Sequence, residues 1–248
     1  MTAIAAHQTD LTDAFNGTTI RKLREDLALA LRAAAHHGLA EGICNHFSIA
    51  LEGNEHFLLN PRGLLWSEVR AEDIVLVDAH GAKVAGRHEV EPTALFIHAA
   101  VHRLANRRCV LHTHMPNATA LTLTEARAMD TRLSQTSMTF HGRVAVDTSY
   151  NGLALDHGEG ERIARTLGDK DVVFLGNHGV VVCGDRMDYA FSDLYYLERG
   201  CQAQVLAEST GRKLQPVPEA MARQVSEQAG GERLQSELFF EALRRTLR

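Results

Sequence analysis

Apolar residues recur along this chain at two spacings, and the switches between them divide it into helical and extended segments. Over residues 18–37, Ile20, Leu23, Leu27, Ala30, Leu31 and Ala34 fall on one helical face. Thr18 or Thr19 offers a capping hydroxyl there and Gly38 a stop. Residues 46–51 and 56–59 are short apolar runs joined through Gly53-Asn54, the pattern of a hairpin. Asn60-Pro61-Arg62-Gly63 reads as a turn, and Ala71-Glu72-Asp73 leads into a strand over 74–77. Asp78 to Gly81 then returns the chain toward Lys83-Val84.

The second half repeats the alternation. Pro92 opens a helix over 92–104 whose broad face carries Leu95, Ile97, His98, Val101, His102 and Leu104. An apolar strand, Arg108-Cys109-Val110-Leu111, follows, and then a helix over 117–123 behind Pro116. A strand over 143–146 precedes a helix over 159–167 closed by Gly168, then strands over 171–175 and 180–183. A long helix spans 187–208. After it a polar, Ala-rich stretch breaks at Gly230-Gly231 before a last helix over 234–247. Tight turns join several strands, so the pattern predicts an α/β fold, a mixed sheet covered by helices. The expected organisation is a loosely held tail over 1–17, a principal domain over 18–212 and a helical extension over 213–248.

Bulk properties narrow the class. With 248 residues the chain can bury a full core. A net charge of −5 leaves no basic footprint for nucleic acid. No apolar run approaches the ~20 residues of a membrane helix. The N-terminus has no basic segment followed by an apolar one, so no membrane partner and a cytoplasmic location are expected. The four cysteines, Cys44, Cys109, Cys183 and Cys201, are dispersed without a C-x-x-C and read as reduced structural thiols.

Candidate chemistry lies in the histidines. His112-Thr113-His114 ends the strand that begins at Arg108, and a period of two sends both imidazoles to one side. His178, in Asn177-His178-Gly179, follows the run Val172-Val173-Phe174-Leu175 where a strand should end. Among 14 histidines a chance His-x-His pair is common. Placement of all three at the ends of buried strands is what favours a three-nitrogen cup for Zn²⁺, with Mn²⁺ or Fe²⁺ as alternatives. Such an ion, one per subunit, would polarise a substrate oxygen.

With these residues in place, the chain resembles the class II aldolase/adducin family over residues 20–207. The motifs are Gly42-Ile43-Cys44-Asn45-His46-Phe47-Ser48, Asn60-Pro61-Arg62-Gly63, Ile97-His98-Ala99-Ala100-Val101-His102, His112-Thr113-His114 and Gly176-Asn177-His178-Gly179. The resemblance implies a three-layer α/β/α fold around a central mixed, largely antiparallel sheet. It also implies a homotetramer with sites between subunits, and metal ligands at His112, His114 and His178. Two departures follow from it. Family aldolases carry a Ser-Ser-Glu stretch whose glutamate is the acid/base and whose serines help hold phosphate, and here the matching positions are Pro92-Thr93-Ala94, leaving Glu91 as a displaced candidate. Asn45-His46 and Arg62 stand where small phosphate-binding residues are usual.

Retro-aldol cleavage needs a base for the substrate hydroxyl and an acid for the enediolate. Decarboxylation asks less, because the leaving carboxylate already bears its charge and a single guanidinium can hold it. The resulting expectation is a divalent-metal-dependent carbon–carbon lyase. It would decarboxylate or cleave a small hydroxy or keto acid through a metal-stabilised enolate. Catalytic candidates are His46, His98 and Glu91; substrate-binding candidates are Asn45, Arg62, Gly63 and Gln135, meeting a small carboxylate or carbonyl compound. Alternatives are a non-catalytic adducin-like binding module and an Fe(II)-dependent oxygenase on the same three histidines.

Overall fold

A computed structural model describes residues 14–154 and 156–247. Eight strands form one sheet: β1 (His46–Ala50), β2 (His56–Leu59), β3 (Val75–Asp78), β4 (Lys83–Ala85), β5 (Cys109–Thr113), β6 (Val144–Asp147), β7 (Val172–Leu175) and β8 (Gly179–Gly184). Their order is β4-β3-β2-β1-β5-β8-β7-β6. Every neighbouring pair is antiparallel except β6 and β7. A parallel pair needs a long crossover, and the helix α5 (His157–Leu167) supplies it.

The other helices are α1 (Thr18–His36), α2 (Pro92–Leu104), α3 (Pro116–Thr122), α4 (Gln135–Met138), α6 (Met187–Ser209), α7 (Glu219–Gly231) and α8 (Leu234–Thr246). Strand alternation assigns them to two sides. Phe47 and Ile49 of β1, Cys109 and Leu111 of β5, and Val180 and Val182 of β8 pack with the buried residues of α1, α6 and α8. Val110, Val173, Val181 and Cys183 instead meet Ile97 and Val101 of α2 and Ile163 and Leu167 of α5. The three-layer α/β/α architecture expected from the sequence is therefore present. Where α2 and α5 cross, a Cβ on Gly160 would lie 2.2 Å from the Phe96 carbonyl oxygen, so only glycine permits the approach.

Several local expectations change. No threonine caps α1: its N-cap is Gly17, without a side-chain hydrogen bond. Residues 1–13 of the expected tail lie outside the described residues, but 14–16 are helical and Phe15 is buried. The Arg24 guanidinium stacks 4.1 Å from the Phe15 ring centroid and donates to the Phe15 carbonyl, which holds that end of the tail down. Helix α5 begins at His157, because the Asp156 side chain accepts from the Glu159 amide at 3.0 Å. Gly230-Gly231 forms the end of α7, a helix with only Ala222 buried and therefore no periodic apolar face to announce it.

Buried polar groups around the strand ends are satisfied by distant partners. The Glu198 carboxylate of α6, 4% exposed, accepts from the Asn117 and Ala118 amides at the start of α3, each at 2.9 Å. That pairing places negative charge at a helix N-terminus and fixes the chain just beyond His114. All four cysteines are free, and burial pushes the Cys183 thiol up to about 12 and those of Cys109 and Cys201 upward as well. They are inert packing groups, apart from exposed Cys44. Among the described residues no helix is long and apolar enough to cross a membrane.

Candidate metal centre

His112, His114 and His178 converge at the end of β5 and the β7–β8 turn. Their ring centroids stand 4.8–5.0 Å apart, and one ligand nitrogen from each lies within 4.8 Å of the others. Two of the outer nitrogens are engaged. His112 Nδ1 donates to the Val180 carbonyl at 3.0 Å, and His114 Nδ1 donates to the Glu41 carboxylate. The His114 main-chain amide donates to Asn45 Oδ1 at 3.2 Å. His114 Nε2 is left buried with no hydrogen-bond partner among the described residues. A bare imidazole nitrogen backed by a carboxylate through its other nitrogen is the usual arrangement of a metal-ligating histidine.

Electrostatics keep His112 and His178 neutral, as ligation requires. Burial, and then the neighbouring His178, hold His112 well below the ordinary histidine value. His178 is lowered to about 4 by burial and by His114, against the opposing charges of Glu159 and Asp147. The turn that carries His178 is tightly built. Asn177 adopts a positive φ of 59°, its side-chain oxygen accepts from Arg127 Nη1, and a Cβ on Gly179 would meet the Thr113 carbonyl oxygen at 2.6 Å. Without glycine at 179 the His178 turn could not sit against β5.

The remaining candidates divide into groups. His46, the cross-strand partner of His112 in the β1–β5 pairing, stacks on it with centroids 4.8 Å apart and planes at 29°. His98 is fully buried behind His46, whose Nδ1 it meets at 2.8 Å, so it reaches a reactant only through that ring. Glu91 and Arg62 bind each other at 2.9 Å, so neither is a free acid/base or a free carboxylate clamp. Gly63 is the positive-φ position (86°) of the same turn. Gln135 lies apart, exposed at the start of α4, in a cleft with Thr136, Arg143, Tyr196 and Arg233.

Four residues come into view only with the structure. Glu41 reaches its histidine across 73 positions, so no local motif announces it. Ser48 joins His98 to His102, as the alternation of β1 could have indicated. Arg127, also at a positive φ (55°), holds Asn177 and has no carboxylate partner among the described residues. Tyr150 places its ring 6.5 Å from that of His178.

Fold and histidine cup together are those of a protein of the class II aldolase type, with three histidines that could hold a metal ion. The sequence profile of the Class II Aldolase and Adducin N-terminal domain matches residues 25–205, and the chain belongs to this family. It is 36% identical over 197 residues to a Pseudomonas aeruginosa protein named for class 2 aldolases, spanning 79% of this chain and 75% of that protein. Two Streptomyces relatives are each 30% identical over 207 residues, covering 82% of this chain and 74% and 76% of their own. One, from Streptomyces roseochromogenus, is named 4-hydroxy-3-prenylphenylpyruvate oxygenase/4-hydroxy-3-prenylbenzoate synthase, and the other, from Streptomyces niveus, decarboxylase NovR. The crystal structure of an aldolase II superfamily protein from Pseudomonas syringae superposes with a TM-score of 0.86 at 35% identity, covering 93% of this chain and 94% of that one.

Proposed function

We propose that this chain is a divalent-metal-dependent carbon–carbon lyase that decarboxylates or cleaves a small hydroxy or keto acid. The observation that carries the reading is His114 Nε2, buried and unpartnered, facing the neutral imidazoles of His112, whose Nδ1 is already engaged by Val180, and His178. His112, His114 and His178 would hold the ion, Zn²⁺ by donor type, with Mn²⁺ or Fe²⁺ as alternatives. When bound, it supplies a Lewis acid for a substrate oxygen and for the charge released on cleavage.

The chain's own groups do the rest. Arg127, free of any carboxylate among the described residues, takes the carboxylate-holding role expected of Arg62. Asn45 spends its side-chain oxygen on His114 and keeps Nδ2 buried and unpartnered, a donor for a substrate oxygen. His46, lying against His112, is the group placed to accept a proton, since Glu91 is tied to Arg62. The proposed assembly is a cytoplasmic homotetramer, which light scattering tests.

The deciding experiment strips the protein with a chelator, restores Zn²⁺, Mn²⁺ or Fe²⁺, and follows CO₂ and aldehyde release over a panel of hydroxy and keto acids. Metal-dependent release of either product, abolished by His112→Ala, supports the reading. Absence of both products with every ion contradicts it. The relative named an oxygenase favours a second reading with Fe(II) at the same histidines, for which O₂ consumption with the same panel is the signature.

A further inference from the structure

Beneath His46 runs an unbroken line of hydrogen bonds through a layer that is otherwise apolar. His46 Nδ1 meets His98 Nε2 at 2.8 Å, and His98 Nδ1 meets Ser48 Oγ. Ser48 Oγ meets His102 Nε2 at 2.7 Å, and His102 Nδ1 meets the Arg107 carbonyl at 2.6 Å. Strand and helix periods produce it: His46 and Ser48 are two apart on one face of β1, and His98 and His102 are four apart on the facing stripe of α2. All four side chains are at most 5% exposed, so water cannot substitute for a missing partner.

The far end decides every proton in the line. A carbonyl oxygen only accepts, so His102 Nδ1 carries the hydrogen. Burial lowers His102 to about 4 and holds His98 well below the ordinary range, so both rings are neutral. His46, 5% exposed and with no carboxylate partner among the described residues, has nothing to balance a charge. Each ring thus has one bare nitrogen. His102 Nε2 therefore accepts, and Ser48 must give it the hydroxyl proton. Ser48 Oγ then accepts from His98 Nδ1, His98 Nε2 is bare, and His46 Nδ1 must donate to it. His46 Nε2 is left as the lone-pair nitrogen. The anchor itself is held, because Arg107 Nη2 donates to the Lys170 carbonyl at 2.9 Å.

We infer that Ser48, His98 and His102 are positioning residues that lock His46 in the Nδ1–H tautomer, presenting Nε2 as a hydrogen-bond acceptor beside the metal histidines. The inference rests on the lyase reading only for what His46 accepts from. The tautomer itself is a property of the resting protein. A merely structural network would fill space without dictating which nitrogen of His46 is bare.

The test is nitrogen-15 NMR of the zinc-loaded protein with ring-labelled histidine, assigned by the loss of signals in single-histidine variants. The result expected is Nδ1–H for His46, His98 and His102, with a pyridine-type signal at His46 Nε2. Ser48→Ala, which cuts the line, should give a mixed or reversed His46 tautomer and a roughly tenfold fall in kcat at unchanged zinc content. Ser48→Thr, which keeps the hydroxyl, should restore the wild-type signature. Should Ser48→Ala fail to fold, His102→Phe cuts the line one step further back with the same expected signature. An Nε2–H His46 in the wild type, or an unchanged tautomer in the cut variants, overturns the inference. The locked tautomer in a protein that turns over no acid would instead sink the lyase reading alone.

Discussion

Glu41 offers the sharpest quantitative test of how the histidine cup is supported. Its carboxylate accepts the Nδ1 proton of His114, fixing the ring's orientation and raising the basicity of Nε2. Removing such a partner commonly lowers metal affinity 10–100-fold, about 1.4–2.7 kcal/mol. The Glu41 side chain is 60% exposed, so solvent screening places the effect at the low end. Glu41→Ala should therefore weaken Zn²⁺ binding about tenfold. Glu41→Gln, which retains an acceptor but not its charge, should weaken it by about half that free energy, roughly threefold. Competition against a chromophoric chelator at fixed pH reads both. The thermal midpoint of the metal-free protein should stay within about 2 °C, because an exposed ion pair contributes little to folding. Affinities within twofold of wild type for Glu41→Ala would refute the reasoning. So would a metal-free midpoint that falls in step with affinity, which would make Glu41 a folding residue.

Three further outcomes follow from the geometry. Because burial lowers His102 to about 4, the unfolded chain binds more protons than the folded one between pH 4 and 6.5. Acidifying the metal-free protein from pH 7 to 5 should thus remove about 2 kcal/mol through His102 alone, with His98 adding in the same direction. Urea unfolding at the two pH values measures this, and stability that is flat or rises on acidification contradicts it. Gly179→Ala should push the His178 turn off the Thr113 carbonyl, destabilise the fold by about 1–3 kcal/mol and lower zinc affinity, read by calorimetry and chelator competition. Arg127→Ala should raise KM for an acid substrate at least tenfold, while Arg62→Ala, losing only its pair with Glu91, should change it less than twofold. The reverse order would return the carboxylate to Arg62.

What the chain makes legible beforehand depends on the range of the interactions. Helix α2 is readable to its ends because Pro92 marks the first turn and a broad apolar face persists to Leu104. The three histidines are readable because a strand's period of two and the end of an apolar run are local properties. Helix α7 is not, since its surface is almost wholly polar. The start of α1 misleads because Thr18 and Thr19 look like caps while the chain ahead of them, through Phe15, is itself helical and packed. Support for the site is the least visible part. Glu41 with His114 and Arg127 with Asn177 are 73 and 50 positions apart. Neither pairing has a periodic signature, because each is made by loops that the finished sheet brings together. Arg62 and Glu91 illustrate the same limit from the other side: each has the right chemistry for the site, and their mutual pairing is a tertiary fact.

X-ray absorption at the zinc edge, on protein loaded with one equivalent and desalted, addresses the convergence of the three imidazoles most directly. The account predicts one retained ion per chain, with three imidazole nitrogens at about 2.0–2.1 Å and at least one lighter ligand. In His178→Ala the fitted shell should fall to two imidazoles. An ion lost on desalting, or a shell whose imidazole count is unchanged by that substitution, would contradict it.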